Sequence, residues 1–255
     1  MAIVDNKEIL DEAVRKLKDI DEIRKMPLIK EPFEKDLAYR LCWSSNAIEG
    51  NTLTLDETIS VIEYDEVKSG HSFTEYDEAR RLYSAIKELL TFEKTQITEG
   101  WIIKANLLIT GSDGAYRERN VYIGTLAEAI FYPPDHTEVP DRMKTYVESV
   151  NFAEEDLRAA ITEVARQHII FERIHPFADG NGRTGRLILN QQMINQGLLP
   201  LSIEKQSKYR QAFRVYERNG DSSMMVRLLC NAELESVNRI LVLYENLQRS
   251  TIKNK

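Results

Sequence analysis

The sequence predicts a mainly α-helical protein: a helical bundle with a β-hairpin flap and an N-terminal helical extension. Two observations predict this class. Apolar residues recur at helical spacing over most of the chain, and one glycine-rich segment, 111–134, breaks that pattern. The segment carries Val121, Tyr122 and Ile123 and closes on two prolines, as a hairpin does. With 255 residues, of which 42% are hydrophobic, the chain can bury a sizeable core.

The N-terminal part is predicted to consist of helices. Two of them precede residue 50, with Pro27 and Pro32 at their join. The second ends at Gly50, because a glycine just past the last periodic residue commonly caps a helix. Thr54 starts a third helix, since TLDE places a hydroxyl and, three residues later, the acid of a capping box. Two further helices follow, at about 74–93 and 101–109.

Helical spacing returns after the hairpin and predicts the C-terminal part. It runs from Val139 through Ile169, and a terminal helix is expected from about Ala232 to Leu247, with the last six residues frayed. We expect an N-terminal helical region over 1–95, in which one helix covers about 35–50. A core with the C-terminal helices is expected over 96–255.

Charge and composition limit the function classes. The formal net charge of −7 argues against broad capture of nucleic acid, which depends on clustered Lys and Arg. No stretch approaches the ~20 apolar residues of a membrane span, and the N-terminus lacks the apolar core of a signal peptide. Cys42 and Cys230 have no partner at metal-ligand spacing. We therefore expect a cytoplasmic protein without nucleic-acid or membrane partners.

The stretch IHPFADGNGRTGRLILNQQMINQGLLP, residues 174–200, carries the chemistry. It joins two helices, and Gly180 and Gly182 stand at the start of the second. Unpaired backbone N–H groups and the helix dipole favour an anion there, and glycines let a phosphate approach closely. Asn181 adds a side chain that can donate to a phosphate oxygen.

Charged groups around this helix start predict phosphoryl or nucleotidyl transfer. Arg183 and Arg186 are three residues apart, so both guanidinium groups can grip phosphate oxygens. Asp179 supplies a hard oxygen ligand suited to Mg²⁺, and His175 can take a proton near neutral pH. No GxxxxGK[ST] motif occurs, and His175 has no second zinc ligand at suitable spacing.

At these positions the sequence resembles the Fic family, whose signature HPFx(D/E)GNGRxxR is matched from His175 to Arg186. The resemblance implies the Fic fold and a protein adenylyltransferase (AMPylation) activity, with ATP as substrate and a protein hydroxyl as acceptor. It implies that His175 is the base, Asp179 holds Mg²⁺, Arg183 binds phosphate and Arg186 grips the γ-phosphate. The anion cradle would consist of Gly180, Asn181 and Gly182.

The hairpin resembles the flap of that family, which pins an extended target segment by backbone pairing. The flap would span 116–134. Its predicted contact residues are Tyr122, Ile123, Gly124 and Thr125.

A second resemblance concerns SSNAIEGN, which matches the family's inhibitory pattern (S/T)xxxE(G/N) with Ser45, Glu49 and Gly50. It implies that Glu49 pairs with Arg186 and keeps ATP out of the productive pose. The helix at about 35–50 would then be an inhibitory helix within the same chain.

Several alternatives stay open at this stage. The first is an adenylyltransferase held off by Glu49; its rival is a nucleotide-sensing binding module with little turnover. A Fic enzyme that uses another donor, or one that removes AMP, is a further alternative. The target protein is not encoded legibly, and the chain itself is one candidate. The oligomeric state is equally hidden, and a homo-oligomer is one alternative.

Four other residues are interpreted individually: three of them have two interpretations each, and His168 has one. Tyr209 either flanks the adenine or belongs to the core. His168 is interpreted as a buried histidine with one hydrogen bond. Arg117 and Arg119 either meet a target or ATP, or are exposed hairpin charges that prevent edge association.

Overall fold

The structure, a computed structural model, describes residues 4–67, 69–124 and 129–253. Ten α-helices, two short 3-10 helices and one two-stranded sheet make up this described part. The α-helices are α1 Lys7–Asp19, α2 Pro27–Ile48, α3 Leu55–Tyr64, α4 Phe73–Leu89, α5 Glu99–Thr110, α6 Val139–Val150, α7 Leu157–Ile174, α8 Asn181–Asn195, α9 Gln206–Asn219 and α10 Ser223–Lys253. The 3-10 helices are Ile23–Lys25 and His136–Glu138. None of these helices combines the length and apolar character that crossing a membrane requires.

The predicted hairpin is present but its strands are short. Strand β1, Ile123–Gly124, pairs antiparallel with β2, Ala129–Phe131, and Ile123 lies opposite Phe131. Val121 and Tyr122 precede the paired part. Of the predicted flap contacts, Thr125 falls outside the described residues.

The N-terminal helices follow the predicted caps but not all predicted bounds. Helix α2 starts at Pro27 and continues through Pro32, which we had placed at a join. A proline is tolerated at the first helical position because the N–H there has no partner within the helix. The helix ends at Ile48, and Gly50 follows with φ +104°. The capping box of Thr54 and Glu57 at the start of α3 is confirmed.

Three predictions of C-terminal and central helix bounds were wrong. The spacing after Val139 belongs to two helices, α6 and α7, because Asp156 accepts a hydrogen bond from Arg158 and starts a new one. Helix α10 begins at Ser223, where Asp221 accepts from its backbone N–H, and it extends to Lys253 where fraying was expected. Helix α4 ends at Leu89 rather than near 93, and Phe92 beyond it has φ +58°.

Helix α8 lies at the centre of the bundle. Its residues take part in all three hydrophobic clusters: Leu189 in the first, Leu187 in the second and Ile188 in the third. The first cluster also joins α1 and α2 to α7, α9 and α10, so helices from both sides of position 95 share a core. The boundary at 95 stays a prediction. Packing on all sides fixes the start of α8, where the predicted site residues stand.

Candidate active site

His175 ends α7 in a backbone conformation that turns the chain toward α8. Its φ is +50°, and its N–H still donates to the carbonyl of Phe171, 3.0 Å away. The imidazole Nδ1 lies 3.3 Å from the backbone oxygen of Glu172. Because a carbonyl can only accept, Nδ1 carries the proton in this contact, and Nε2 keeps its lone pair.

The environment of His175 favours the neutral ring. Burial lowers the pKa of this histidine, and the hydrogen bond to the Glu172 carbonyl opposes that effect without cancelling it. The positive charge of Arg117 lowers the pKa further, whereas Glu49 and Asp179 raise it. The net pKa lies below the ordinary 6.5, so the ring is available as a base at neutral pH.

The loop between α7 and α8 is held from outside by Arg117. Nε of Arg117 donates to the carbonyl of His175 at 2.9 Å, and its backbone N–H donates to the carbonyl of Pro176 at 2.9 Å. The same guanidinium also donates to the carbonyls of Arg119 and Pro134. Arg117 is buried, so its interpretation as an exposed hairpin charge was wrong, whereas a contact with a target or ATP stays a prediction. It positions the histidine.

A second anchor comes from α5. Nδ2 of Asn106 donates to the carbonyl of Asp179 at 2.8 Å and approaches Oγ1 of Thr184 at 3.3 Å. Sequence reasoning missed this residue. The available signal was a polar residue on the apolar face that α5 forms with Ile102 and Ile109, all of them buried.

Gly180 and the side-chain amide of Asn181 fix the backbone of the loop at the start of α8. Gly180 has φ +75°, and a Cβ there would overlap the side chains of Thr110 and Asn106. The amide of Asn181 both accepts from the N–H of Phe177 and donates to its carbonyl, each at 2.8 Å. Asn181 therefore closes the loop with its side chain, and a contact of this amide with phosphate stays a prediction. The backbone N–H of Asn181 stands at the first position of α8, where a helix has no partner for this donor within itself.

Arg186 is enclosed by the predicted inhibitory residues. Its Nε donates to Oγ of Ser45 at 2.8 Å, and Nη2 donates to the Ser45 carbonyl at 2.9 Å. Nη2 also lies 2.6 Å from Oε1 of Glu49. The arginine side chain is 2% exposed and that of Glu49 39%, so the acid closes the pair from the solvent side.

Glu49 is held in its ionised form. Burial alone raises its pKa, but the charge of Arg186 and its hydrogen bond outweigh that effect, so the net pKa is lowered. Its Oε1 lies so close to Gly182 that a Cβ on this glycine would overlap it. The carboxylate therefore sits over the first turn of α8, where the helix favours an anion.

Arg183, the other motif arginine, is also paired. Nη1 lies 3.3 Å from Oε1 of Glu78 on α4, and Nη2 lies 3.3 Å from Oδ2 of Asp179. Asp179 is the most exposed of these side chains, at 77%. The sequence did not single out Glu78, because its contact joins positions 105 residues apart.

Tyr209 links the arginine to His168. Its hydroxyl accepts from Nη1 of Arg186 at 3.4 Å and lies 2.8 Å from Nε2 of His168. Burial lowers the pKa of His168 to about 3, so this ring is neutral at pH 7. The interpretation of His168 as a buried, hydrogen-bonded histidine is confirmed. Tyr209 belongs to the core and also faces the site.

A cavity of about 490 Å³ opens above Tyr209 and Arg186. Ile123 and Phe131 of the hairpin line one side, and Phe213 of α9 lines another. Glu172 also lines it, and burial raises the pKa of this acid to about 8. Glu172 is therefore mostly neutral at pH 7, and Glu49 is the charged acid beside Arg186. Of the flap residues, Tyr122 is half exposed.

A smaller cavity, of about 230 Å³, lies over the α8 N-terminus and is lined by Asp179, Gly180, Asn181 and Arg183. Glu49, His175 and Gly182 line both cavities, so the two adjoin. The structure thus brings the predicted base, the predicted phosphate-binding residues and the predicted inhibitory acid to one place.

Comparison with known proteins shows which family and which folds the chain resembles. The family model described as Fic/DOC matches residues 96–193, which include the hairpin, α7 and most of α8. This part of the chain is therefore similar to the Fic/DOC family. Among solved structures, a Fic-domain signalling protein from Bacteroides thetaiotaomicron superimposes with a TM-score of 0.77, covering 93% of this chain and 97% of that one at 23% identity. A Fic family protein from Desulfovibrio desulfuricans gives a TM-score of 0.76 at 25% identity, over 95% of this chain and 76% of the other. The predicted Fic fold is confirmed.

Curated proteins similar to this chain carry the name protein adenylyltransferase Fic. The protein from Drosophila virilis is 29% identical over 78% of this chain and 41% of its own length. The one from Nematostella vectensis is 26% identical over 92% of this chain and 56% of its own. The chain therefore spans about half the length of these relatives.

Proposed function

We propose that this chain is an adenylyltransferase that moves AMP from ATP to a hydroxyl side chain of a protein, and that Glu49 restrains it. One observation carries the proposal. His175, the N-terminus of α8 and Arg186 all line the same pair of adjoining cavities. A base, an anion site and a cation at one place suit transfer of a phosphate-linked group.

His175 would act as the general base. In the proposed reaction the acceptor oxygen forms a bond to the α-phosphorus of ATP, and the bond from that phosphorus to the pyrophosphate oxygen breaks. The hydroxyl proton goes to Nε2, because Nδ1 is occupied by the Glu172 carbonyl. Arg117 and Asn106 hold the loop so that this nitrogen keeps its direction.

Asp179 fits the role of Mg²⁺ ligand. It is a hard, exposed carboxylate at the rim of the smaller cavity. Magnesium is commonly held by one or two carboxylates together with substrate phosphates and water, and it neutralises phosphate charge. Asp179 lies at 3.3 Å from Arg183, so the same carboxylate also orients a phosphate-binding side chain.

The proposed restraint by Glu49 follows from the chemistry of Arg186. A phosphate needs the donors of this guanidinium, and Glu49 and Ser45 occupy Nη2 and Nε. Glu49 also sits over Gly182, where a phosphate would approach the α8 N-terminus. The carboxylate of Glu49 thus takes the place of a negatively charged phosphate of ATP. Its removal should leave the site open to the nucleotide.

The position of the label tests the type of transfer. Glu49→Gly protein is incubated with Mg²⁺ and ATP labelled at either the α- or the γ-phosphate, together with a cell lysate. Adenylyl transfer predicts that protein retains the α-label and not the γ-label. Label from the γ-position alone would mean phosphoryl transfer. Loss of the α-label from Glu49→Gly/His175→Ala would support the base, and binding of ATP without any label would favour the nucleotide-sensing module.

A further inference from the structure

A second acid from the N-terminal helices reaches the phosphate site. Glu78 lies on α4, and its carboxylate touches two segments that are distant in the chain. Oε1 lies 3.3 Å from Nη1 of Arg183, and Oε2 accepts from Nδ2 of Asn51 at 3.1 Å. Glu78 also lines the smaller cavity over the α8 N-terminus.

The contact with Arg183 occupies a side chain that has little access to solvent. Arg183 is 5% exposed and Glu78 28%. Nε of Arg183 is buried and has no hydrogen-bond partner among the residues that the structure describes. In this state each of the two motif arginines is paired with an acid from the N-terminal helices, Arg186 with Glu49 and Arg183 with Glu78.

Asn51 connects the two acids. It stands two residues after Glu49, and its backbone N–H donates to the carbonyl of Asn46 at 3.1 Å, which holds the end of α2. Its Nδ2 donates to the carbonyl of Glu75 at 3.0 Å as well as to Glu78. The segment that bears Glu49 is therefore tied to α4 at the residue that also holds Arg183.

We propose that Glu78 is a second restraining and positioning residue: it pairs with Arg183 in place of a phosphate and, through Asn51, keeps Glu49 on Arg186. This inference rests on the proposed function. The carboxylate of Glu78 repels phosphate oxygens that approach Arg183, and it competes for the same N–H donors. A triphosphate displaces both acids, and displacement of one loosens the segment that carries the other.

The test measures affinity rather than turnover. A non-hydrolysable ATP analogue with Mg²⁺ is titrated by calorimetry into the wild type, Glu78→Gln, Glu49→Gly and the double variant. Glutamine keeps an oxygen that accepts from Asn51 and removes only the charge that faces Arg183. We expect Glu78→Gln to lower the Kd by about three- to tenfold, with an effect in the double variant that differs from the sum of the single effects.

Asp77 provides the matched control on the same helix. It is 41% exposed and pairs with Arg81, away from the motif arginines. Asp77→Asn makes the same charge change and should leave the Kd unchanged. Asn51→Ala removes the connection while it leaves both acids in place, and it should also lower the Kd.

The outcomes separate cleanly. An unchanged or raised Kd in Glu78→Gln, with unfolding temperatures like those of the wild type, would overturn the inference and assign Glu78 a structural role or a ligand role. Strictly additive effects of Glu78→Gln and Glu49→Gly on the Kd, or an unchanged Kd in Asn51→Ala, would show that Asn51 does not couple the two acids. If Glu49→Gly transfers no AMP, the proposed function fails, whereas the affinity measurements still decide the role of Glu78.

Discussion

Oε1 of Glu49 occupies the space in front of Gly182, and it does so while Arg186 holds it at 2.6 Å. One carboxylate therefore covers the two features that a phosphate needs, the start of α8 and the guanidinium. Both the charge of Glu49 and the space that its side chain fills should keep nucleotide out.

Glu49→Gln separates charge from bulk. The glutamine oxygen can still accept from Arg186, but a neutral acceptor is a weaker partner than a carboxylate. Transfer of AMP should therefore rise in the order wild type, Glu49→Gln, Glu49→Gly, with about a tenfold step for each ~1.4 kcal/mol of pairing that is lost. Initial rates at one ATP concentration measure this order. A glutamine variant as fast as the glycine variant would mean that the charged pair alone restrains the site, and one as slow as the wild type would contradict a role for the charge.

The pKa of His175 predicts the acid side of the pH profile. Burial keeps this pKa below 6.5, and Glu49 is one of the groups that raise it. In Glu49→Gly the pKa should fall further, so the ring stays unprotonated and transfer persists as the pH drops through 6.5. NMR titration of the imidazole, assigned with His175→Ala, measures the pKa of His175 in the wild type and in Glu49→Gly. A midpoint at or above 6.5 in the glycine variant would contradict this account of the base.

Arg117 should matter for both stability and activity. Arg117→Ala leaves the carbonyls of His175, Arg119 and Pro134 without their donor, which should cost about 2–4 kcal/mol of unfolding free energy. Transfer in the Glu49→Gly background should fall as well, because the His175 backbone loses its anchor. Arg119→Ala is the control, since that side chain is exposed and, among the residues that the structure describes, Arg117 contacts its carbonyl and not its side chain. Equal unfolding free energies for the two variants, measured in urea, would show that the anchor is unimportant.

Glu233 on α10 predicts a dependence of stability on pH. One oxygen accepts from the N–H of Leu199 at 3.0 Å, the other is buried without a partner among the described residues, and burial raises the pKa to about 8. An acid with a raised folded-state pKa contributes full stability below its unfolded pKa, near 4.5, and this contribution is lost as the pH rises toward 8. Glu233→Gln keeps the acceptor and cannot ionise, so at pH 9 it should be more stable than the wild type by about 1–3 kcal/mol. The advantage should disappear at pH 5. Urea unfolding of both proteins at both pH values measures this difference in unfolding free energy. A wild type that is equally stable at pH 5 and 9 would contradict a raised pKa of Glu233.

Local signals in the sequence predicted the site well. The capping box at Thr54, the glycine stop at Gly50 and the motif from His175 to Arg186 depend on neighbouring residues, and the structure places each close to where it was expected. The pairing of Glu49 with Arg186 was implied by a resemblance, and the two groups are in contact.

The parts that sequence reasoning missed depend on packing. Asn106 and Glu78 reach the motif because α5 and α4 pack beside α8 and α2, and no local pattern specifies which polar side chain meets which loop. Arg117 was misjudged because hairpin charges are usually exposed, whereas here the loop carbonyls need a buried donor. The bounds of α10 were missed because Asp221, an ordinary turn residue in the sequence, starts the helix.

The most direct test of the central claim uses intact mass spectrometry. The wild type, Glu49→Gly and Glu49→Gly/His175→Ala are incubated with Mg²⁺ and ATP, alone and with lysate proteins. The account predicts AMP adducts with Glu49→Gly, few with the wild type and none with the double variant. Adducts at equal levels in the wild type and Glu49→Gly would contradict restraint by Glu49, and absence of adducts from all three would contradict adenylyl transfer by this chain.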